Sequence, residues 1–415
     1  MAITGSGTQA DPYIVDNYND LRAVCIGQGT YWTRGQQFYI QLGADIDATG
    51  IALDLKGTVY PRTHLDLNGH TISNVTLSAS GNNETFAFSG EELSGGTMTV
   101  RAENIYTYPF PSSPYQYADY CYIHDMNITI LNATWQPQYE DYGYYYQNIC
   151  IFFCCKLVRC VVEATYHLPV ENDSIYPIPQ FPDAPRGTNQ SCYAFAMNTT
   201  RITGDDTWED CDLILHWYGN YTYYRNDGAE NCPSRYVAFY GTDLSYCRVC
   251  GQLLDSYSSL TWIMGRAANY DTCVVEFDVS STEVQADVLP GAATLFDATQ
   301  SLPMINTVAH ITYPANENRW TAGADVTELT ASEIRNYTDL INVSFPVTPT
   351  GQEPPTGYRW FITNGDLPYL SNFAPAPVPT RYKIYKGDTP ITIMYAGNAT
   401  VDAVYCGDEQ LYSIN

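Results

Sequence analysis

Adjacent carboxylates are the residues of this sequence whose type and spacing best suit hydrolytic chemistry. Three pairs have this arrangement: Glu140/Asp141, Asp205/Asp206 and Glu209/Asp210. Glycoside hydrolases use two carboxyl groups roughly 5–10 Å apart as acid and base. Neighbouring residues of one strand, however, point to opposite faces, and acidic residues are abundant throughout the chain. We therefore interpret these pairs as solvated surface groups, and we predict no catalytic residue.

Two groups of cysteines have the short spacing that zinc sites also use. They are Cys154, Cys155 and Cys160, and Cys247 with Cys250. On one strand, Cys247 and Cys250 would face opposite sides and would not chelate together. Neither group has a His-x-x-x-His partner. We interpret most of the 13 cysteines as buried free thiols, and we predict no metal and no cofactor.

Three histidines stand beside carboxylates, because His64 and His70 flank Asp66 and His124 precedes Asp125. For His64 and His70 we expect hydrogen bonds within turns rather than catalytic titration. The sequence has no Gly-x-Ser-x-Gly elbow, His-Glu-x-x-His pair or phosphate-binding Gly-Lys-Ser/Thr loop. These absences leave nucleophilic hydrolases and nucleotide-dependent enzymes without support, so the residues favour a protein that is not an enzyme.

Two tyrosine-rich segments, residues 137–147 and 216–233, are the best candidates for binding. Flat aromatic rings stack on sugar faces, and the phenol can hydrogen-bond to hydroxyl groups. The same rings would also suit a contact with a neighbouring subunit, or a covering for the side of the protein. The glycan-contact or subunit-contact candidates are Tyr142, Tyr144, Tyr145, Tyr146, Trp217, Tyr218, Tyr221, Tyr223 and Tyr224.

The elements that would position these residues are short strands, since helical periodicity is confined to residues 19–25 and 331–341. One strand type recurs, in which a cysteine starts the inward face and apolar residues then alternate with polar ones. Its cysteines are Cys160, Cys211, Cys247 and Cys273, separated by 51, 36 and 26 residues. Solenoid coils explain such spacings if one gap holds two coils or a long insertion. The sequence therefore predicts an all-β fold, a right-handed parallel β-helix.

A repeat with a period of ten residues ends the chain, after Pro-rich stretches at 346–356 and 373–380 that we interpret as linkers. Each unit ends in a Gly-Asp or Gly-Asn turn between short strands. Three such strands bury little surface, so we predict a small β module that docks or trimerises. Its attachment residues are Tyr385, Gly387, Asp388, Tyr395, Gly397, Tyr405, Gly407 and Asp408.

The charge balance limits the partners, because 19 Lys and Arg residues face 45 Asp and Glu residues, a net charge of −26. Such a field repels phosphate, so we exclude nucleic acid and anionic membrane surfaces as partners. The N-terminus has no basic or apolar signal region, and no segment is long enough to span a bilayer. We expect synthesis in a cytoplasm and arrival at any outer surface by another route, such as assembly into a particle released by lysis.

Four segments carry a family resemblance: residues 5–15, 38–47, 65–72 and 360–370. The first three, with Asp20 and Leu21, resemble the opening of GLUG-type β-helix proteins. In that family, the stretch forms the N-terminal cap and first coils. The last segment, Trp-Phe-Ile-Thr-Asn-Gly-Asp-Leu-Pro-Tyr-Leu, is similar to the line that closes such a helix. The resemblance implies a capped β-helix from residue 1 to about 372.

The period-ten tail resembles the C-terminal module of virion structural proteins of tailed bacteriophages, especially phages of gut bacteria. This resemblance implies a virion surface protein, a projecting β-helix that acts as a tail fibre or tailspike and binds a host-surface glycan. The alternative is a non-enzymatic head decoration or fibre protein on the capsid. A bacterial adhesin would normally show a signal peptide, and a polysaccharide-cleaving enzyme would need one of the carboxylate pairs. Because the cap begins within ten residues of Met1, virion attachment would use the C-terminal module or a side face.

The predicted organisation has four parts. Residues 1–80 form the cap and first coils, and 81–345 form the body with its Tyr-rich insertions. Residues 346–380 form the closing coil and linkers, and 381–415 form the attachment or trimerisation module. The expected partners are further copies of the chain in a homotrimer, other virion proteins and a host-surface glycan. The protein would be located in the virion, without inserting into a membrane.

Overall fold

The computed structural model describes most of the first 371 residues and four short segments after them. The described residues are 3–27, 29–33, 35–49, 62–78, 87–88, 90–103, 109–111, 121–134, 148–167, 192–197, 207–218, 235–254, 257–258, 265–266, 269–279, 283–284, 293–294, 305–313, 320–321, 326–371, 384–386, 389–391, 403–406 and 409–413. By contacts between residues, the chain divides into two compact units, Met1–Leu370 and Ser371–Asn415.

Short strands dominate the described secondary structure, as the alternation of the sequence predicts. A helix, α1 (Tyr18–Ile26), follows the first strand and confirms the helical periodicity at 19–25. The strands as far as residue 245 are β1 Tyr13–Val15, β2 Gln37–Leu42, β3 Ile46–Asp47, β4 Arg62–Asp66, β5 Thr71–Ser78, β6 Glu92–Glu103, β7 Phe110–Pro111, β8 Cys121–Thr134, β9 Asn148–Phe153, β10 Cys155–Val158, β11 Val161–His167, β12 Cys192–Met197, β13 Trp208–Glu209, β14 Asp212–Tyr218, β15 Arg235–Tyr240 and β16 Leu244–Ser245.

The remaining strands continue the pattern, interrupted by a 3-10 helix, Glu333–Arg335, and by α2, Tyr337–Asn342. The helical periodicity at 331–341 is thus split at Asn336, whose side chain caps α2 by accepting from Thr338 and Asp339 N–H groups. The strands are β17 Arg248–Leu254, β18 Tyr257–Ser258, β19 Gly265–Arg266, β20 Tyr270–Asp271, β21 Val274–Asp278, β22 Glu283–Val284, β23 Ala293–Thr294, β24 Val308–Thr312, β25 Trp320–Thr321, β26 Thr327–Glu328, β27 Val347–Pro349, β28 Trp360–Ile362, β29 Tyr369–Leu370, β30 Ile384–Lys386, β31 Thr389–Ile391, β32 Ala403–Cys406 and β33 Glu409–Ser413.

Parallel pairing unites 17 of these strands in one large sheet. One series of neighbours runs through β4, β6, β8, β10, β13, β16 and β20. A second runs through β11, β14, β17, β21, β24 and β26. A separate five-stranded sheet contains β7, β9, β12, β15 and β19, which are also parallel. The fold is all-β, with a large and mostly parallel sheet and few helices.

The register decides how the longest gap between the recurring cysteines is spanned. Val161 pairs with Asp212, so Cys160 and Cys211 precede neighbouring strands. The 51-residue interval is therefore a single step from one strand to its neighbour. The alternative that it holds two coils is wrong, and the length belongs to one long excursion.

The predicted inward faces are confirmed. In β21 and the residues beside it, Cys273, Val275, Phe277 and Val279 are at most 1% exposed, whereas Glu276 on the other face is partly exposed. The cysteines that start the equivalent faces, Cys160, Cys211 and Cys247, are fully buried. All ten cysteines whose side chains are described are free thiols, as the sequence predicts for most of them.

A line of left-handed backbone residues, which we call the left-handed corners, precedes these inward residues. From Arg159 to Thr272, each corner amide donates to a carbonyl just before the next corner, as in Arg159 N to Glu209 O at 2.9 Å and Thr272 N to Ile305 O at 2.7 Å. Bulky residues adopt this conformation only when surrounding contacts fix it. The corners are Gly95, Asp125, Arg159, Asp210, Tyr246, Thr272 and Asn306, with φ between 49° and 75°.

The inward thiols satisfy the carbonyl groups at these corners. Cys273 Sγ donates to Asp271 O at 3.3 Å, and Cys247 Sγ donates to Ser245 O at 3.4 Å. One corner further on, a hydroxyl does the same, since Thr307 Oγ1 donates to Ile305 O at 3.2 Å. From Arg159 onward, the position after a corner therefore carries a small side chain with a donor.

We expect Cys273→Ser to keep the free energy of unfolding close to that of the wild type and Cys273→Val to lower it. Serine keeps a donor for Asp271 O, whereas valine removes the donor and adds volume, which together cost about 1–3 kcal/mol. Urea denaturation of both variants measures the difference. Cys250→Ser, at a half-exposed thiol on the other face, is the control. A valine variant as stable as the wild type would contradict this role for the thiol.

The closing part of the first unit is folded where the sequence predicts a linker. β27 pairs in parallel with β28, which pairs antiparallel with β29. Val347 and Thr348 are 2% and 3% exposed, and Trp360 Nε1 donates to Thr272 O at 2.9 Å. The linker prediction for 346–356 is wrong because Pro-rich composition does not report burial. The segment at 360–370 forms β28 and β29 of this separate three-stranded sheet.

The second unit contains two antiparallel hairpins among its described residues. β30 pairs with β31, joining Lys386 to Thr389, and β32 pairs with β33, joining Cys406 to Glu409. The two predicted Gly-Asp turns fall between these paired strands in sequence. The middle repeat, residues 394–398, lies outside the described residues.

Candidate functional site: a polar surface across the first strands

The first strands of the large sheet place a row of polar and aromatic side chains on its outer face. Tyr39, His64, Glu92 and Tyr122 are register partners on β2, β4, β6 and β8. They alternate with buried neighbours such as Phe38, which is why they face outward. The Tyr39 and His64 rings stack with centroids 4.4 Å apart at 18°. Residues far apart in sequence thus form one continuous surface.

Glu92 joins the two histidines of this surface. Its Oε2 lies 2.5 Å from His64 Nδ1, and its Oε1 lies 2.7 Å from His124 Nε2. The second nitrogen of His64 lies 3.1 Å from Glu91 Oε2, and Arg62 pairs with the same Glu91 carboxylate. Burial raises the pKa of Glu92, but the hydrogen bonds from His124 and His64 outweigh it, so that pKa lies below its usual value.

The network continues into the left-handed corners through Asp125 and Arg159. Arg159 donates to both Asp125 carboxylate oxygens at 2.6 Å, a bidentate arrangement. His124 Nδ1 lies 2.7 Å from Asp125 Oδ2. The hydrogen bonds from Arg159 lower the pKa of Asp125 to about 2, with His124 adding to the effect against partial burial. Every carboxylate in this network has a cationic or histidine partner.

The Asp125 carboxylate makes the free energy of unfolding depend on pH under acidic conditions. Its folded pKa, about 2, lies below the unfolded value near 4, so its contribution is present above about pH 4 and is lost as the pH falls toward 2. We expect Asp125→Asn to remove about 0.5 kcal/mol of the decrease in unfolding free energy across this pH range. The effect is small because the side chain is 46% exposed and solvent screens the pair. Urea midpoints measured across this pH range test it.

The control for this pH dependence is Asp366→Asn, which changes an exposed carboxylate in the turn before β29. This variant keeps the acid-side slope of the wild type. An Asp125→Asn protein whose urea midpoint falls with pH as steeply as that of the wild type would refute the assignment.

A cleft of about 200 Å³ adjoins the network, between the N-terminal turn and the outer face of β2, β4 and β6. Gln41 Nε2 donates to Asp66 Oδ2 at 3.2 Å inside it, and Asp66 Oδ1 accepts from Asn68 N at 2.7 Å. We call this the β2–β6 cleft. Its lining residues are Gln9, Pro12, Tyr39, Ile40, Gln41, His64, Leu65, Asp66, Glu92 and Ser94.

One of the three carboxylate pairs, Glu209/Asp210, is bound by an arginine from the closing segment. Asp210 is 8% exposed, so its interpretation as a solvated surface group is wrong. Arg359 Nη1 lies 2.7 Å from Glu209 Oε1 and 2.8 Å from Asp210 Oδ2. Its guanidinium lies 4.5 Å from the centroid of the Tyr246 ring. Burial raises the pKa of Asp210 despite the opposing effect of Arg359. These carboxylates anchor the closing segment, and the pairs at 140/141 and 205/206 lie outside the described residues.

One aromatic contact candidate, Trp217, was predicted wrongly, and the side chains of the others lie outside the described residues. Trp217 is 1% exposed and makes an edge contact with Phe277, 6.1 Å between centroids, so it belongs to the core and cannot contact a ligand. Tyr218 ends β14, and its side chain lies outside the described part of the structure. Outside the described residues lie Tyr142, Tyr144, Tyr145, Tyr146, Tyr221, Tyr223 and Tyr224.

The attachment candidates fall in the second unit. Tyr385 lies in β30 and Tyr405 lies in β32. The other candidates, Gly387, Asp388, Tyr395, Gly397, Gly407 and Asp408, are outside the described residues.

The histidines differ from expectation, whereas the cysteines agree with it. His64 contacts carboxylates across strands rather than groups of its own turn, and His70 Nδ1 lies 3.2 Å from Asp45 Oδ1. Cys247 is buried and Cys250 is half-exposed, which confirms that they face opposite sides. Among the described residues, no three His, Cys, Asp or Glu side chains are arranged to hold a metal ion. No described helix is long and apolar enough to cross a membrane.

Comparisons with known proteins give one structural similarity. No family model matches the chain, and no curated protein matches it. Among solved structures, the chain is similar to a protein from Bacteroides ovatus described as a "putative immunoglobulin A1 protease". The two are 13% identical, the match covers 89% of this chain and 94% of that chain, and the TM-score is 0.35. A similarity at this level carries no argument about fold or activity.

Proposed function

We propose that this chain is a structural surface protein of a bacteriophage virion, built on a right-handed parallel β-helix that projects from the particle. In this proposal it acts as a tail fibre or tailspike, binds the host surface without cutting it, and assembles as a homotrimer. The alternative location is the capsid, where the same chain would be a decoration or fibre protein. The sequence resemblances supply the virion context, and the structure supplies the physical argument that follows.

The proposal rests on one observation: successive strands of the chain repeatedly pair in parallel with the strands before them. From Gly95 to Asn306 the corners recur in line with φ between 49° and 75°, and parallel pairs link the strands that follow them. A chain that returns to the same sheets in the same direction after each excursion is what a β-helix requires. Its repeated backbone hydrogen bonds would make it a stiff support for surface groups.

The electrostatics favour binding over chemistry. Glu91, Glu92 and Asp125 pair with histidine or arginine, and Arg359 bridges Glu209 and Asp210. A general acid or base must reach a substrate proton, and carboxylates held by arginine or histidine side chains are poorly placed for this. The net charge of −26 suits a protein displayed in many copies, because the copies repel one another in solution.

Electron microscopy of purified particles with an antibody against the chain tests the location. We expect signal at the tail tip or baseplate. Signal on the capsid shell would select the decoration alternative, and particles without signal would refute the virion assignment. Sedimentation of the full chain and of a variant ending at Leu370 tests the homotrimer, which a full chain that is monomeric at every concentration would exclude.

A further inference from the structure

We propose that the β2–β6 cleft binds a neutral, hydroxyl-rich sugar unit. This inference rests on the proposed host-surface role and names the chemistry of the surface that would be recognised. It also assigns recognition to the sheet face of the first strands, whereas the sequence pointed to the tyrosine-rich insertions.

The size and the aromatic side of the cleft suit one sugar ring. Its volume of about 200 Å³ is below the roughly 300–1,000 Å³ of drug-sized sites, which limits a ligand to about one ring. Ile40 and Leu65 are among its lining residues, but each is 1% exposed and belongs to the core on the other face of the sheet, so the floor is strand backbone. The stacked Tyr39 and His64 rings form one side. Sugar rings have an apolar C–H face and a polar rim, and aromatic side chains complement such a face.

The polar walls contain fixed donors and acceptors close together. The Gln41 amide is oriented by its bond to Asp66, and Asp66 is oriented by the Asn68 amide. Gln9 and Ser94 add an amide and a hydroxyl from two other directions. A sugar hydroxyl both donates and accepts, so neighbouring amide and carboxylate groups can satisfy both functions. Their fixed positions reduce the entropy lost on binding.

The charge of the cleft disfavours anionic ligands, and its lining disfavours a metal ion. Asp66 and Glu92 line it, and its histidine already faces Glu91 and Glu92. Phosphate, sulfate and uronic acids would therefore meet negative charge with no free cation among the lining residues. A metal ion is disfavoured because no group of three ligands is present in the described part of the chain. A neutral polyol avoids both problems.

Saturation-transfer NMR on the full-length protein tests the proposal with methyl glycosides of glucose, galactose, mannose and N-acetylglucosamine. Glucuronic acid and glucosamine serve as anionic and cationic probes in the same experiment, and calcium chloride, which has no proton to observe, is titrated by calorimetry as the metal probe. We expect transfer to at least one neutral glycoside at millimolar concentration and none to glucuronic acid. Gln9→Ala and Gln41→Ala each remove hydrogen-bonding capacity and weaken the binding about 3- to 10-fold.

The matched control is Gln352→Ala, an exposed glutamine in the turn after β27, which leaves the binding unchanged. Gln9 is exposed in the N-terminal turn, so its loss tests the cleft even if Gln41→Ala perturbs β2. Equal binding by all three variants would place any sugar site elsewhere, and binding by glucosamine or calcium alone would overturn the neutral-sugar assignment. So would the absence of transfer to every neutral glycoside.

The failure of this inference is separable from the failure of the proposed function. Particles that carry the chain at the tail while the purified protein binds no neutral glycoside would keep the virion role and remove the cleft assignment. Particles that lack the chain, together with purified protein that binds a neutral glycoside, would remove the virion role and keep the cleft assignment.

Discussion

Trp208→Ala is expected to destabilise the first unit by about 3–5 kcal/mol, the cost of removing a fully buried tryptophan. The side chain is 0% exposed and lies between the two parallel sheets. Its ring meets Phe152, Phe195 and Phe239 edge-on at centroid distances of 5.5, 5.8 and 5.9 Å. Such edge contacts add to the burial of area, so alanine leaves a cavity and removes three aromatic contacts at once.

Trp208→Phe keeps an aromatic ring in the core but removes the indole N–H group. The indole Nε1 donates to Cys155 O at 2.8 Å, and phenylalanine leaves this carbonyl without that donor at a cost of about 1–3 kcal/mol. Urea unfolding followed by circular dichroism measures both variants against the wild type. If alanine costs no more than phenylalanine, the three ring contacts contribute nothing, and our account of this part of the core is wrong.

Gly251→Ala is the second substitution with a large expected effect, about 3 kcal/mol or more. Gly251 has φ +152°, and a Cβ there would lie 1.9 Å from Leu215 O. Leu215 and Gly251 are register partners in β14 and β17, so neither backbone can move without disturbing that parallel pair. The overlap is with the backbone, and no side-chain rotation can relieve it.

Gly351 is the control that distinguishes this clash from the general cost of replacing a glycine that has positive φ. Gly351 has φ +85°, and no described atom lies within 4 Å of the position of its Cβ. Gly351→Ala should therefore lose only about 1 kcal/mol, the cost of a left-handed alanine. Thermal unfolding of both variants under one set of conditions gives the comparison. Equal losses at the two positions would contradict a specific overlap at Gly251.

The parts of the fold that the sequence predicts are those encoded in local alternation. The faces that begin at Cys211 and Cys273 follow from a period of two, and the structure buries them as expected. The same alternation extends through Leu213 and Leu215 to Trp217. We placed Trp217 in a surface segment that begins at residue 216, but β14 continues to Tyr218. The prediction failed because the strand end was set too early.

The candidate site depends on information that local patterns do not contain. His64 and His124 meet at Glu92 only because β4, β6 and β8 pair in one particular register. The excursions between these strands have different lengths, so spacing in sequence does not give that register. An outward histidine on each of two strands near an acidic pair was the only available signal, and it does not identify the partners. The sequence therefore predicts the fold class of this protein better than it predicts which side chains meet on its surface.

The left-handed corners also have a consequence for variation of the protein. Six different residue types occupy them, from glycine and arginine to tyrosine and threonine, with nearly the same φ. From Asp125 onward, successive corners are 34, 51, 36, 26 and 34 residues apart, so the intervening segments differ in length while the corners stay in line. A corner-to-corner segment is thus a natural unit of exchange. Recombination or engineering that swaps one such segment could diversify the outer surface while the framework that displays it is inherited unchanged.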